Sequence, residues 1–178
     1  ATPLVHGPAY SKPSTLVRRQ LVIAGSFTVD SIQPRLREVA QQLDVSLDIT
    51  FAGFGQVMQS LLNPDAEFYA NSSGVNVLFV RPIDFPDAQE LTQALWRYER
   101  DARAVAPLCL IICPQAEPMG SWALDIESCA KIWRADAVDH CKHCADIDEN
   151  YGRLFSIPYS ERLYAELADL ALRLVSYS

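Results

Sequence analysis

The stretch "LVIAGSFTVDSIQPRLREVAQQL", residues 21–43, decides the fold. It begins with an apolar run typical of a buried strand and passes through the turn Gly25-Ser26-Phe27-Thr28 into a helical pattern. Pro34 suits the first turn of that helix, and apolar residues then recur at helical spacing, at Leu36, Val39, Ala40 and Leu43. A strand that leads directly into an amphipathic helix is the repeating unit of parallel α/β folds.

The same alternation continues along the chain. Further strands are predicted at residues 46–52, 75–80 and 108–113, with a weaker one near Asp136, and helices at residues 57–62, 87–103, 121–134 and 159–175. Strand runs that are apolar on both faces indicate a parallel sheet covered by helices on both sides. We therefore predict an α/β three-layer sandwich with a mostly parallel sheet, flavodoxin-like or SGNH-hydrolase-like.

Length and composition restrict the class of protein. The chain has 178 residues, 49% of them hydrophobic and 21% charged, which suits one domain with a real core. A net charge of -7 would repel a phosphate backbone, so no nucleic-acid partner is predicted. No apolar run reaches the roughly 20 residues of a membrane helix, and no signal peptide is recognisable. We expect a cytoplasmic protein without a membrane partner.

The first residues predict an origin in a larger polypeptide. The chain starts without Met, and "TPLVHGPAYSKPSTLVRR" reads as a linker that contains prolines. We expect residues 1–18 to be a linker and residues 19–178 to form a single domain.

The cysteines and histidines give a weak metal signal. Five cysteines are an odd number, and Cys109 and Cys113 lie in an apolar run, which favours reduced thiols. "DHCKHC" offers four soft ligands in one hexapeptide, His140, Cys141, His143 and Cys144. Structural zinc sites join ligand pairs that are well separated in the chain, so we interpret this segment as a surface loop. No metal or cofactor is predicted.

A ligand site of this fold lies beyond the carboxyl ends of the strands. Four turns meet there, at residues 25–28, 53–56, 81–84 and 114–117. The N–H groups and hydroxyls of the first turn either hold an anion or a carbonyl oxygen, or only cap the following helix. The candidate binding residues are Gly25, Ser26, Thr28, Gly53, Gln56, Arg81, Arg153 and Arg162.

A serine hydrolase would need a histidine base within reach of its nucleophile. If the protein is an enzyme, Ser26 and Asp84 are the candidate catalytic residues. The histidines are His6, His140 and His143, and none closely precedes the last helix, where "FSIPYSERLY" stands. This pattern disfavours serine hydrolysis.

Side chains on two predicted helices have simpler interpretations. Arg97 and Asp101, and likewise Glu99 and Arg103, are spaced for i,i+4 ion pairs on a solvated helix face. The three tryptophans, Trp96, Trp122 and Trp133, are expected to pack in the core or between helix and sheet.

Three segments taken together resemble a known family. Residues 21–69, then "GVNVLFVRPIDF", then "DENYGRLFSIPYSERLYAELADLALRL" resemble the N-terminal, SGNH-like domain of FkbH-type proteins, which is also found inside nonribosomal peptide and polyketide synthetases. In that family a downstream HAD-type domain loads a glyceryl unit onto a carrier protein. That domain begins with an Asp-x-Asp pattern followed by Trp, which this chain does not match.

The chain departs from the family at its functional positions. Ser26 and Phe27 stand where the hydrolase relatives have the Asp and Ser of a Gly-Asp-Ser block, and Asp84 lacks the Asn that precedes it in that pattern. Synthetase members commonly carry a His before Ile-Pro-Tyr, where this chain has Ser156. The resemblance therefore implies a degenerate, non-catalytic module.

Our leading hypothesis is a non-catalytic accessory domain of a nonribosomal peptide or polyketide assembly line, of the kind used in antibiotic biosynthesis. The domain would dock or position a carrier protein or an adjacent synthetase domain. Carrier proteins are usually acidic, so the candidate contacts are basic: Arg35, Arg37, Arg81, Arg153 and Arg162. Two alternatives remain, a thioesterase or acyltransferase that uses Ser26, and a purely structural spacer.

Overall fold

The computed structural model describes residues 17–177. Five strands, β1 (Val17–Gly25), β2 (Val45–Phe51), β3 (Val75–Val80), β4 (Leu108–Ile112) and β5 (Ile132–Asp136), form one sheet. All neighbouring strands pair in parallel, and their order across the sheet is β2-β1-β3-β4-β5. This is the flavodoxin-like order, and the predicted three-layer α/β class is confirmed.

Six α-helices accompany the sheet in the described part of the chain: α1 (Gln33–Gln42), α2 (Val57–Leu62), α3 (Glu67–Ala70), α4 (Ala88–Arg100), α5 (Glu149–Phe155) and α6 (Glu161–Tyr177). Within residues 17–177, none of these helices combines the length and the apolar character needed to cross a bilayer.

Two hydrophobic cores lie on opposite faces of the sheet. On one face, Leu36 of α1 and Leu167 of α6 pack against Ile23 and Val77. On the other face, residues of α2, α3 and α4 pack against the alternate residues of the same strands, such as Val22 and Leu78. All six residues of β3 are buried, because this strand is covered on both faces.

The predicted elements agree with the structure over most of the chain. β3 has the predicted bounds, β2 begins and ends one residue earlier than predicted, and β4 ends one residue earlier. β1 begins at Val17, so the last two residues of the predicted linker lie in this strand. Residues 1–16 of that linker lie outside the described residues, and the domain boundaries stay a prediction.

The predicted helix at residues 121–134 is wrong. This part of the chain is an irregular segment followed by β5, which begins at Ile132. The apolar residues that suggested a helix, Leu124, Ile126 and Cys129, are buried one by one as the segment crosses the second core. Trp133 is 39% exposed on the edge strand, so its predicted core packing is also wrong.

Two charged side chains fix this irregular segment to α4. The Glu99 carboxylate accepts hydrogen bonds from the N–H groups of Ala130 (2.8 Å) and Lys131 (2.9 Å). Lys131 Nζ in turn donates to the carbonyls of Tyr98, Asp101 and Ala104, at 3.3, 3.1 and 2.8 Å. The clamp thus gives the carbonyls at and just beyond the end of α4 a charged hydrogen-bond donor, in addition to the backbone N–H groups that Tyr98 and Asp101 already accept from. The i,i+4 spacing predicted an ion pair between Glu99 and Arg103, and this prediction is wrong because Glu99 binds the irregular segment instead.

A buried polar network lies beneath α3 and α4. Asn76 is fully buried in β3, and its amide nitrogen donates to the Phe68 carbonyl and to the Tyr98 hydroxyl, both at 2.9 Å. Its oxygen accepts from Asn71 Nδ2 at 2.9 Å. Tyr98 then donates to the Ala106 carbonyl at 2.6 Å. Burial raises the pKa of the Tyr98 hydroxyl to about 12, which keeps it a donor.

Candidate functional site

An open cleft of about 460 Å³ lies at the carboxyl edge of the sheet. The turns after β1, β3 and β4 form its floor with Ser26, Arg81, Asp84 and Gln115. Its outer wall comes from the segment around α5, which contributes Ile147, Glu149, Gly152, Arg153 and Ser156. The cleft thus occupies the place where the strand order predicts a ligand site.

Ser26 follows β1 directly and is held from two sides. Its backbone N–H donates to the Phe79 carbonyl at 3.0 Å, which extends the pairing of β1 with β3. Its hydroxyl donates to Asp84 Oδ2 at 2.7 Å and accepts from the Arg81 N–H at 3.0 Å. The hydroxyl is therefore fixed between the turn after β3 and its own strand.

Asp84 is bound by an arginine of the same turn. Arg81 donates from Nε to Asp84 Oδ2 (2.8 Å) and from Nη2 to Oδ1 (2.9 Å), and the two side chains are 17% and 24% exposed. With the Ser26 hydroxyl, the carboxylate accepts three hydrogen bonds from this network. The bidentate ion pair neutralises both charges at the cleft floor.

Phe27 points away from the cleft and into the core. It is 1% exposed, and its ring meets the Tyr159 ring edge-on at a centroid distance of 5.1 Å. The Arg81 guanidinium lies 5.5 Å from the centroid of the same ring. Tyr159 donates its hydroxyl to the Pro114 carbonyl, and burial raises the pKa of that hydroxyl well above its usual range. This aromatic cluster holds Arg81 in the position in which it binds Asp84.

The α5 wall is fixed to the rest of the fold by backbone contacts. Asp148 caps the helix by accepting from the Tyr151 N–H at 2.9 Å. The helix ends at Ser156, which adopts the left-handed conformation (φ +56°), and the Ser156 carbonyl accepts from the Thr28 N–H at 2.8 Å. Gly152 faces Pro158 so closely that an added Cβ would stand 3.0 Å from its backbone. Ser156 thus lies in the same cleft as Ser26.

The geometry provides only part of a serine-hydrolase site. A carboxylate lies within hydrogen-bond distance of Ser26 Oγ, but the neighbouring N–H of Arg81 is bonded to the hydroxyl itself rather than free to bind an oxyanion. Neither His140 nor His143 lines the cleft, and His6 lies outside the described residues. Proton transfer from Ser26 through a histidine has no route within the described cleft.

The other candidate residues of the first two turns lie beside a smaller cavity. Gly25, Thr28 and Gly53 line a space of about 260 Å³. An added Cβ at Gly25 would stand 2.4 Å from a methyl group of Val29, so a larger residue does not fit there. Gln56 folds back over Gly53, and its backbone N–H donates to the Gly53 carbonyl at 3.2 Å.

The predicted basic contacts are dispersed. Arg153 lines the cleft, whereas Arg162 lies outside it and donates to Asp146 at 2.8 Å. Arg35 pairs with Asp169 and Glu38, both at 2.9 Å, which raises its pKa above the usual range. The Arg37 guanidinium donates to the Gln33 amide oxygen at 2.8 Å. Arg81 forms an ion pair with Asp84, which neutralises its charge. The five predicted arginines therefore do not form one positive surface.

The Cys-His segment packs against α6. The N–H groups of Lys142 and His143 each donate to the Glu166 carboxylate at 2.9 Å. Cys144 Sγ lies 3.3 Å from the Cys141 carbonyl, and burial raises the pKa of the Cys141 thiol to about 12. In residues 17–177, no three His, Cys, Asp or Glu side chains are grouped as metal ligands.

Asp146 and Asp148 form an Asp-x-Asp pair whose side chains carry structural roles. Asp146 accepts from the Ser160 hydroxyl and from Arg162, both at 2.8 Å, and Asp148 caps α5. These contacts fix the segment between β5 and α6 beside the cleft.

Exposed apolar side chains lie in the cleft and on the helix that forms its outer wall. We call this set the apolar rim: Phe54, Ile83, Tyr151, Leu154 and Phe155. Phe54 and Ile83 belong to the cleft lining, whereas the other three lie on α5 outside that lining, where the Tyr151 and Phe155 rings contact each other in a tilted arrangement at 4.6 Å. Leu154 is 76% exposed. The sequence prediction missed the rim because it placed no helix at residues 149–155, although the apolar residues of "NYGRLF" were visible.

No protein-family model and no curated protein matches this chain. The fold is similar to a solved crystal structure of the N-terminal part of the protein BF1531 from Bacteroides fragilis, which contains a phosphatase domain and is complexed with Mg. The TM-score is 0.69 at 10% sequence identity, over 90% of this chain and 52% of that one. This chain thus spans about half the length of that structure, and the likeness shows the fold alone.

Proposed function

We propose that the chain is a non-catalytic accessory domain of a nonribosomal peptide or polyketide assembly line that docks or positions a carrier protein or an adjacent synthetase domain. The sequence resemblance to FkbH-type N-terminal domains supports this assignment. The fold likeness to the N-terminal part of a longer protein is in keeping with it.

One observation carries the proposal. The Ser26 hydroxyl, the Arg81 guanidinium and the Asp84 carboxylate satisfy each other at the floor of the cleft. The position at which the synthetase relatives carry a histidine is Ser156, in the wall of the same cleft. A cleft whose carboxylate is neutralised by an arginine and whose described lining contains no histidine lacks the proton relay of a serine hydrolase.

The apolar rim supplies the surface for docking. Large apolar side chains grouped around a depression are typical of protein interaction sites, and aromatic residues dominate binding energy at such sites. Phe54, Tyr151 and Phe155 are aromatic, and Leu154 is almost fully exposed to solvent. We expect this rim to be covered in the assembled synthetase.

Calorimetric titration tests the proposal. The 178-residue chain is titrated with the carrier domain and with the adjacent domain of the same synthetase. The double variant Leu154→Ser/Phe155→Ser should weaken binding of one of them by about tenfold or more. The matched control is Leu43→Ser/Val105→Ser, which removes two exposed apolar side chains away from the cleft and should leave the affinity unchanged.

Two results would contradict the proposal. Equal affinities of the rim variant and the control variant for both partners would exclude the rim as a docking surface. Turnover of acyl thioesters by the wild-type chain that disappears in Ser26→Ala would establish the hydrolase alternative instead.

A further inference from the structure

A second surface lies at the opposite edge of the sheet from the cleft. Because α4 runs antiparallel to the strands, its last turn lies where the strands begin, and the α2–α3 segment lies beside it. Between them is an open groove of about 430 Å³ lined by Arg97, Arg100 and Arg103. We call this surface the arginine groove. Its three guanidinium groups lie within seven residues of a chain whose net charge is -7.

Only one of these three arginines is neutralised by a neighbour. Arg103 donates from Nε and Nη2 to the two oxygens of Asp101, at 2.9 and 2.6 Å. Arg100 lies over the Trp96 ring at 4.9 Å from its centroid. The Arg97 guanidinium has no hydrogen bond or ion pair with any residue in 17–177, so the ion pair expected between Arg97 and Asp101 is not formed.

Glu99, the other carboxylate in this part of the chain, does not neutralise these arginines either. Glu99 accepts from the N–H groups of Ala130 and Lys131, on the far side of α4 from the groove. Arg97 and Arg100 are three residues apart on one helix face and are both exposed. They therefore present two adjacent positive charges to solvent without a compensating carboxylate.

Aromatic and apolar side chains flank these charges. The Trp96 indole is fixed on α4 by a hydrogen bond from Nε1 to the Asp125 carbonyl at 2.8 Å. Tyr69, Leu62 and Pro64 form the opposite side of the groove, and Tyr69 is locked by its bond to the Leu61 carbonyl at 2.6 Å. Trp, Tyr and Arg are the residue types that carry most binding energy at protein interfaces.

We infer that the arginine groove is a docking surface for an acidic protein partner, with Arg97 and Arg100 as the charged contacts. Trp96 lies outside the groove lining, beneath the Arg100 guanidinium, and provides an apolar anchor beside it. An acidic partner is repelled by most of a chain with net charge -7, so a local positive groove both attracts and orients it. Resting on the proposed function, the partner is the acidic carrier protein, and the apolar rim then takes the adjacent synthetase domain.

The chemistry of the two surfaces fits this division. A carrier that visits several domains in turn needs a contact that forms quickly and dissociates easily, which favours exposed charges. A domain that stays in place favours an apolar contact. A small anion is a poorer match for the groove, because it is open and none of its described lining residues has a buried side-chain polar atom without a partner.

The test uses the whole 178-residue chain and its carrier domain in calorimetric titrations. Wild-type binding should weaken about tenfold between low and physiological salt. Arg97→Glu/Arg100→Glu should weaken it by at least about tenfold, since two attractive contacts become repulsive. The matched control Arg18→Glu/Arg173→Glu makes the same change of charge on exposed arginines elsewhere and should retain binding within about twofold.

Each outcome decides the proposal. Equal losses in both charge-reversal variants would show a general charge effect and overturn it, as would binding insensitive to both. Binding lost only in Leu154→Ser/Phe155→Ser would move the carrier to the apolar rim, which refutes the groove but leaves the proposed function standing. Phosphate binding that the wild type shows and the Arg97→Glu/Arg100→Glu variant loses, together with no carrier binding by the wild type, would overturn the proposal and identify a small-anion site instead.

Discussion

Replacing Asn76 with Leu should destabilise the fold by about 3 kcal/mol. The substitution keeps the branching of the side chain but removes three buried hydrogen bonds of about 2.9 Å. The Phe68 carbonyl and Asn71 Nδ2 lose this partner in the interior, and each such group costs about 1–3 kcal/mol. Tyr98 retains its bond to the Ala106 carbonyl, and the leucine gains about 1–2 kcal/mol of apolar transfer.

Urea unfolding followed by circular dichroism measures this effect. The midpoint should fall while the slope of the transition stays constant, because the native fold is retained. Tyr98→Phe removes one member of the same network, so the double variant should be destabilised by less than the sum of the single variants. A free energy of unfolding within about 0.5 kcal/mol of wild type for Asn76→Leu would refute this account of the network.

Three further outcomes are expected. Gly74→Ala should lower the free energy of unfolding by more than about 2 kcal/mol in urea titrations, because its Cβ would overlap the backbone carbonyl of Gln20. An unchanged midpoint would mean that β1 and β3 separate easily. The five thiols should react with Ellman's reagent at pH 8 far more slowly in the native protein than in urea, because burial raises the pKa of every one of them. The hydrogen bonds from Arg103 lower the pKa of Asp101 to about 2, so the stability that this carboxylate contributes is complete above its ordinary pKa and is lost as the pH falls toward 2. Carboxyl NMR titration should show this pKa returning toward the ordinary value in Arg103→Gln, and identical titrations in both proteins would contradict the assigned cause.

The central strands could be predicted from sequence because each is a short apolar run bounded by turn residues. β3 is apolar on both faces apart from Asn76. The hydrogen bonds of Asn76 join residues that are distant in sequence, so the neighbouring residues do not predict them. The helix predicted at residues 121–134 shows the opposite case. Its spacing of apolar residues arises from a segment that buries Leu124, Ile126 and Cys129 separately, a tertiary effect that periodicity cannot distinguish from a helix.

The position of the candidate site could be predicted from the sequence, but the ion pair that neutralises its carboxylate could not. The strand order predicts that the turns carrying Ser26, Arg81 and Asp84 converge. That Arg81 binds Asp84 through two hydrogen bonds depends on side-chain directions within the turn after β3. The arginine groove was hidden for a related reason: i,i+4 spacing suggested that Arg97 and Arg103 were neutralised, whereas Glu99 turns to the irregular segment instead.

The clamp between Glu99 and Lys131 has a consequence for the order in which the protein assembles. The irregular segment after β4 gains these anchors only once the last turn of α4 exists, because its lysine binds three carbonyls at that helix end. We expect β5 to join the sheet after the rate-limiting step, with φ-values near zero along the segment. Glu99→Gln and Lys131→Met should then accelerate unfolding while leaving the refolding rate nearly constant. The edge of the sheet would open and close on a faster timescale than the strands that hold Ser26 and Asp84.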